Sequence, residues 1–305
     1  MKVTDWLTLQ ARGNLDHSAD KLRQKFYAST ATALCGMNGR YIEMDYQETQ
    51  MYGDVMAMVK KQLNDFTLDV AIGGSINDRI TNSTRIDSKN ASLKYANVFN
   101  LANIVMSSSA SIDQKIDAHY QLQSVFATAQ IGYKEGVFLD LTARNDWSST
   151  LAYTKYEKKG FFYPSVGVSF LPDKWVKMPE WVSFSKLRGA YSIVGNGVPP
   201  FITYPVSYVT AGGEILASDA APFAEMKPEM THSVELGMEW KFLQHRLGLN
   251  LTYYRTDTYE QFFKLPALAG DKYAYRYVNA GDIRNQGWEI TLDATPVLTP
   301  DFTWK

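Results

Sequence analysis

The side chains able to do chemistry are few and scattered. Four histidines, His17, His119, His232 and His245, show no pairing at metal-ligand spacing, and a lone strand histidine is ordinarily structural. The single cysteine, Cys35, excludes an internal disulfide framework and a cysteine-rich zinc site. Ser169 follows Gly167 but precedes Leu171, so the strained turn that exposes a nucleophilic serine is not encoded. Gly195-Asn196-Gly197 lacks the third glycine and the lysine of a phosphate cradle and reads as a loop turn. Two carboxylate pairs, Glu235 with Glu239 and Glu289 with Asp293, sit four residues apart on one face. On a strand that spacing is about 13 Å, beyond the roughly 5 to 9.5 Å of a glycosidase pair. A cross-strand pair stays open, but a polar wall facing water explains the same residues. Asn250-Leu251-Thr252 matches a glycosylation sequon inside a strong strand, the wrong context for one. No catalytic, cofactor-binding or metal-binding residue is assigned, substrate-binding residues stay unknown, and no enzymatic activity is expected.

The elements carrying these residues explain why. The 305 residues hold 31 basic and 32 acidic side chains, a net charge of -1, so no nucleic-acid partner is expected. Hydrophobic residues reach 45% and aromatics 13% while mean hydropathy is -0.26, so apolar character is spread through short or alternating segments. No apolar run approaches the 18 residues of a transmembrane helix, which leaves a membrane barrel open. Strict alternation runs through 66–78, where Phe66, Leu68, Val70, Ile72, Gly74 and Ile76 oppose Thr67, Asp69, Ala71, Gly73, Ser75 and Asn77. The pattern recurs in 123–133, 137–146, 231–241, 247–253 and 288–294, with weaker copies in 5–17, 52–62, 161–171 and 181–194. These are ten strands, with an eleventh starting at Phe302.

Connection length alternates too. Short turns fall at 63–65, 134–136, 242–246 and 296–301, with a slightly longer one at 172–180. Long excursions occupy 18–48, 79–118, 147–160, 195–230 and 257–282. An antiparallel meander then has tight turns at one end and large loops at the other, the layout of a transmembrane β-barrel with short periplasmic turns and long extracellular loops. Tyr133, Trp240, Phe242, Tyr253 and Trp288 are placed toward strand ends, as in interfacial aromatic girdles. Leu68, Val70, Ile72, Leu139, Leu141, Val168, Leu236 and Leu292 are expected on the lipid face. Asp69, Asp140, Arg144, Glu235, Glu239, Glu289 and Asp293 are expected toward the lumen.

Four blocks then resemble a known family: Asn145-Asp146-Trp147-Ser148-Ser149-Thr150-Leu151, the run 162–170 (FYPSVGVSF), the run 186–196 (KLRGAYSIVGN) and the run 278–289 (VNAGDIRNQGWE). In this order they are similar to strand and loop signatures of SusC/RagA-type TonB-linked outer-membrane transporters. The resemblance implies a 22-stranded barrel in the outer membrane of a Gram-negative cell, plugged by an N-terminal globular domain. It also implies import of oligosaccharides or peptides driven by the TonB complex, and a SusD-like surface lipoprotein as partner. On this reading residues 1–305 are a partial barrel domain of ten to eleven strands, without plug, TonB box and the remaining strands. The alternative from the residues alone is a soluble or surface-attached β-sandwich that binds carbohydrate through Tyr204, Tyr208, Tyr273 and Tyr275. Such a sandwich would bury its apolar faces against each other; a barrel turns them outward.

Overall fold

The computed structural model describes residues 1–89, 93–105, 111–209 and 215–304. Ten strands form one antiparallel sheet: β1 (Leu7–Phe26), β2 (Arg40–Leu63), β3 (Phe66–Asp87), β4 (Ser111–Tyr133), β5 (Val137–Ser148), β6 (Phe161–Phe170), β7 (Val182–Asn196), β10 (Glu229–Phe242), β11 (Leu247–Tyr259) and β14 (Ile283–Ala294). Each pairs with its neighbours in chain order, and among the described residues the outermost strands, β1 and β14, are hydrogen-bonded on one side only. Three two-stranded ribbons lie outside the sheet: β8 (Tyr208–Val209) with β9 (Ile215–Leu216), β12 (Phe262–Pro266) with β13 (Tyr275–Asn279), and β15 (Val297–Leu298) with β16 (Thr303–Trp304).

The tight turns arise where the sequence can leave the extended region for one to three residues. Leu63 pairs with Phe66 around Asn64 at φ +51°, a residue type that tolerates the left-handed region. Tyr133 pairs with Val137 across Lys134 and Glu135, and Phe242 with Leu247 across Leu243, Gln244 and His245, all at positive φ. The turns fall where alternation placed them. The strands, however, outrun it at the other end. β1 continues from residue 17 to Phe26, β2 begins at Arg40, β3 runs on to Asp87 and β4 begins at Ser111. Those extensions carry polar residues on both faces, so none continues the greasy side of its strand, although Ile42, Met44 and Tyr46 alternate briefly with Glu43, Asp45 and Gln47 in β2.

Register fixes the two faces. Val59, Val70, Ala129, Leu141, Val166 and Tyr191 stand opposite one another from β2 to β7, as do Leu236, Tyr253 and Trp288 from β10 to β14. This apolar face is uncovered: Val55 is 62%, Leu236 55% and Ile290 69% exposed. Asp54, beside Val55 in sequence but on the polar face, is 4% exposed. A sandwich would show the reverse, with the apolar face under a second sheet. The fully buried apolar side chains of the described residues instead lie at the long-loop end, in two clusters around Tyr41, Leu93 and Ile104 and around Leu151, Val198 and Met226.

Three placements differ from expectation. Tyr253 and Trp288 are interior to β11 and β14 because both strands continue beyond the apolar stretch, yet their rings pair 5.0 Å apart at its upper margin. Gly195 and Asn196 end β7 instead of opening a loop, and the Tyr163 ring occupies the space a side chain at 195 would need. The segment after Phe302 pairs with β15 as β16, apart from the large sheet.

Candidate functional site

The polar face is a wall of carboxylate and guanidinium pairs, each set by register. Arg12 on β1 donates through Nε to both Asp54 carboxylate oxygens at 3.2 and 2.9 Å, and the Asp54 side chain has no solvent exposure. Arg144 donates to Asp146 Oδ1 and to Ser124 Oγ, both at 2.7 Å. Arg188 reaches Glu235 Oε1 at 3.2 Å and Thr252 Oγ1 at 2.7 Å. Lys60 lies 3.4 Å from Asp69, Gln130 donates to Asp140 Oδ1 at 2.7 Å, and Lys241 lies 3.2 Å from Glu239. Glu289 and Asp293 stand exposed on β14 opposite Thr252 and Gly248. β11 separates them from Glu235 and Glu239 by two strand spacings, about 10 Å, so no cross-strand acid pair forms.

The apolar face has a definite extent along the strands. On β1 to β4 its apolar and small residues occupy 7–15, 51–59, 68–76 and 125–133. Nine residues run about 27 Å along a strand, or about 20 Å in height at a tilt near 40°, close to the ~25 Å apolar band of membrane barrels. Above it the same face turns polar, with Lys21 bridging Glu43 at 2.6 Å and Asp45 at 3.4 Å. Aromatic rings gather at the tight-turn margin, where Tyr133 lies between Phe66 (4.7 Å) and Trp175 (5.6 Å) and Trp181 stacks on Phe242 (5.6 Å).

At the other end three long connections fuse into one plate on the polar side. Leu151, Val198 and Met226 are its core, with Tyr156, Phe161, Ile202, Phe223 and Phe262 packed around them. Ser148 and Ser149 start the plate, accepting from the backbone N–H groups of Thr150 (3.3 Å) and Gln121 (2.8 Å). Thr203 donates to the carbonyls of Thr150 and Ala152, joining the second loop to the first. Asn279 joins the second to the third: its Oδ1 accepts from Lys227 N at 2.9 Å, and its Nδ2 donates to the carbonyls of Lys227 (3.0 Å) and Glu260 (2.7 Å). Lys227 Nζ donates to Glu260 Oε1 at 2.6 Å, and that hydrogen bond, opposed by desolvation, raises the Lys227 pKa. Gly281 turns at φ +93° beneath the Phe263 ring, where a side chain would clash.

Of the aromatics named from sequence, Tyr204 packs on Tyr153 with ring centroids 4.8 Å apart, and Lys264 lies 3.6 Å over the Tyr275 ring. Lys272 lies over Tyr273 at 5.4 Å; Tyr208 falls in β8, and its side chain lies outside what the structure describes. The histidines are kept apart, with His17 on Thr49, His119 near Asp78 and His232 on Tyr191, while the backbone N–H of His245 donates to Ser183. Among the described residues no three His, Cys, Asp or Glu side chains converge as metal ligands. Sequence reading did not single out Asn279 or Met226, which fasten and fill the plate. The signal was present for Asn279 alone, inside the 278–289 block.

An uncovered apolar face of bilayer height, a polar opposite face and loops confined to one end define the wall of a transmembrane β-barrel. The chain belongs to the family described as TonB dependent receptor-like, beta-barrel, whose model matches residues 2–305. It is 27% identical over 198 residues to TonB-dependent receptor P26 of Formosa agariphila, covering 61% of this chain and 19% of that one. It is 27% identical over 174 residues to TonB-dependent receptor SusC of Bacteroides thetaiotaomicron, covering 52% of this chain and 17% of that one. The chain thus spans about a fifth of the curated relatives it matches. Among solved structures, the RagAB peptide transporter superposes with a TM-score of 0.83 at 19% identity, over 99% of this chain and 34% of that one. The copper transporter OprC superposes at 0.58 and 12% identity over 98% of this chain and 42% of that one, the same fold at greater distance.

Proposed function

We propose that this chain supplies a segment of the barrel wall of an energy-coupled importer in the Gram-negative outer membrane, taking up oligosaccharides or peptides. The observation that carries the reading is the uncovered apolar face of bilayer height, backed by a polar face on which Arg12 with Asp54, Arg144 with Asp146 and Arg188 with Glu235 pair. The wall would be part of a barrel of 22 strands, with a plug domain and a segment contacting TonB completing the importer. A SusD-like lipoprotein would close over the loop plate. Transport is a binding and conformational task, so the reading includes no bond-breaking step. The kinship to the TonB-dependent receptor SusC and the fold shared with the RagAB peptide transporter support a nutrient importer. The uncovered apolar face counts against the carbohydrate-binding sandwich.

The test is uptake by intact cells of radiolabelled oligosaccharide and oligopeptide pools, with the full-length gene present, deleted, or present in a strain lacking TonB. The reading expects loss of uptake of one pool in both mutant strains. Uptake unchanged in both, for both pools, would refute it.

A further inference from the structure

On the outward face of β10, β11 and β14 a charged row stands directly above the apolar band. Register aligns Leu236, Tyr253 and Trp288 at the band's upper margin, then Val234, Arg255 and Gln286, then His232, Asp257 and Arg284. Each step is two residues, roughly 7 Å along the strand. Asp257 is the hub: its Oδ2 accepts from Arg255 Nε at 2.9 Å and its Oδ1 from Arg284 Nε at 2.5 Å. Among the described residues neither guanidinium makes a second hydrogen bond, and the two side chains are 40% and 54% exposed. Their Nη groups are therefore unspent. Asp282, two residues before Arg284, forms an ion pair with neither, and His232 is tied through Nδ1 to the Tyr191 hydroxyl at 2.8 Å. Two cations thus share one carboxylate. On the polar face Arg12, Arg144 and Arg188 each have a carboxylate of their own. Arg40 and Arg85 also share one, Asp87, but Arg40 spends all three guanidinium nitrogens on Asp87 and the Leu34 carbonyl.

What lies beneath the row is apolar. The Tyr253 and Trp288 rings form a shelf, and below it an open, shallow cleft of about 360 Å³ is lined chiefly by Leu187, Leu236, Met238, Leu251 and those two rings. Unspent guanidinium donors, an aromatic shelf and an apolar cleft therefore follow one another down a single outward face. A soluble anion needs only the first of these and a neutral acyl chain only the last. An amphiphile with a phosphorylated head uses all three, because guanidinium groups bind phosphate through strong charge-assisted hydrogen bonds and basic groups beside a membrane-facing surface take lipid headgroups.

We propose that this face holds one phosphorylated, acylated lipid of the outer leaflet, its phosphate on Arg255 and Arg284 and an acyl chain in the cleft below Trp288. The inference rests on the reading of the chain as outer-membrane barrel wall with its long loops outside. The experiment is native mass spectrometry of the full-length protein, extracted from the outer-membrane fraction into nonionic detergent. It is titrated with bisphosphorylated lipid A, with the same lipid after dephosphorylation, and with sodium phosphate. The wild type retains one phosphorylated lipid that the double variant Arg255→Gln, Arg284→Gln binds about tenfold more weakly. The dephosphorylated lipid binds wild type and double variant alike. Met238→Trp, which fills the cleft, weakens both lipids to the same degree, and sodium phosphate displaces neither. If the double variant does not assemble, Arg284→Gln alone, which leaves Arg255 on Asp257, shows a smaller loss confined to the phosphorylated lipid. Equal retention of the phosphorylated lipid by the assembled arginine variants, or no effect of Met238→Trp, would overturn the site. Displacement of the lipid by sodium phosphate would reduce it to a free-anion site and overturn the lipid as its occupant. Absence of the full-length protein from the outer-membrane fraction would instead overturn the reading of the wall itself.

Discussion

Single residues on the two faces are predicted to respond in opposite ways. Ile72 sits at the middle of the apolar stretch of β3, exposed and facing outward, so Ile72→Arg in the full-length protein should cost about 2 to 4 kcal/mol near the bilayer midplane. A Gln130→Ala change on the polar face should cost far less, because water can replace the amide there. Refolding titrations into lipid vesicles measure both, and equal losses would refute the assignment of faces. The Arg12 and Asp54 pair is asymmetric in its own way. Asp54 is shut away while Arg12 is half-exposed, so Arg12→Ala strands a buried carboxylate and should cost roughly 3 to 5 kcal/mol. Asp54→Ala leaves a guanidinium that can hydrate, and should be the milder change in the same titration; the opposite order would contradict the geometry.

At the scale of elements, the loop plate is fastened by Asn279 and by the ion pair of Lys227 with Glu260. The folded-state pKa of Lys227 is raised, so its contribution is complete below the ordinary lysine range and is lost as pH rises through the folded value. The plate should therefore loosen above about pH 10.5 while the strands persist. Limited proteolysis across that range would show cleavage appearing within 197–228 and 260–282, and Asn279→Ala should bring the same cleavage at neutral pH. Resistance to protease in both conditions would refute the fastening role. How far the elements could be read from sequence follows from the medium on each side of them. Where lipid faces one side of a strand and water the other, alternation is strict: 137–146 was legible to within two residues of β5, and 66–78 marked the start of β3 but not the nine residues by which it runs on to Asp87. Where both faces meet water, as in residues 18–26, no alternation remains and strand passes for loop; in 42–47 Ile42, Met44 and Tyr46 still alternate with Glu43, Asp45 and Gln47, a signal too short to set that stretch apart from the loop around it. The plate was illegible for a different reason: Met226, Val198 and Leu151 are far apart in sequence and carry no periodic signal. Only the 145–151 and 278–289 blocks pointed there, through Ser149 and Asn279.

For the whole molecule, the account depends on a single sheet whose apolar face meets lipid and whose polar face meets water. Alternation, turn spacing and aromatic placement were enough to expect that wall, and the uncovered apolar side chains give it physical form. A strand 22 residues long is about twice what a bilayer needs, so β3 must carry both a membrane-facing part and a part standing clear of it. Nitroxide scanning along 66–87 of the full-length protein in lipid vesicles tests this most directly, by comparing quenching by oxygen, which concentrates in hydrocarbon, with quenching by a water-soluble nickel chelate. Positions 68, 70, 72, 74 and 76 should be oxygen-accessible, 69, 71, 73, 75 and 77 should not, and the period-two contrast should vanish beyond residue 78. Oxygen accessibility on the odd positions, or no alternation between 68 and 76, would contradict the account.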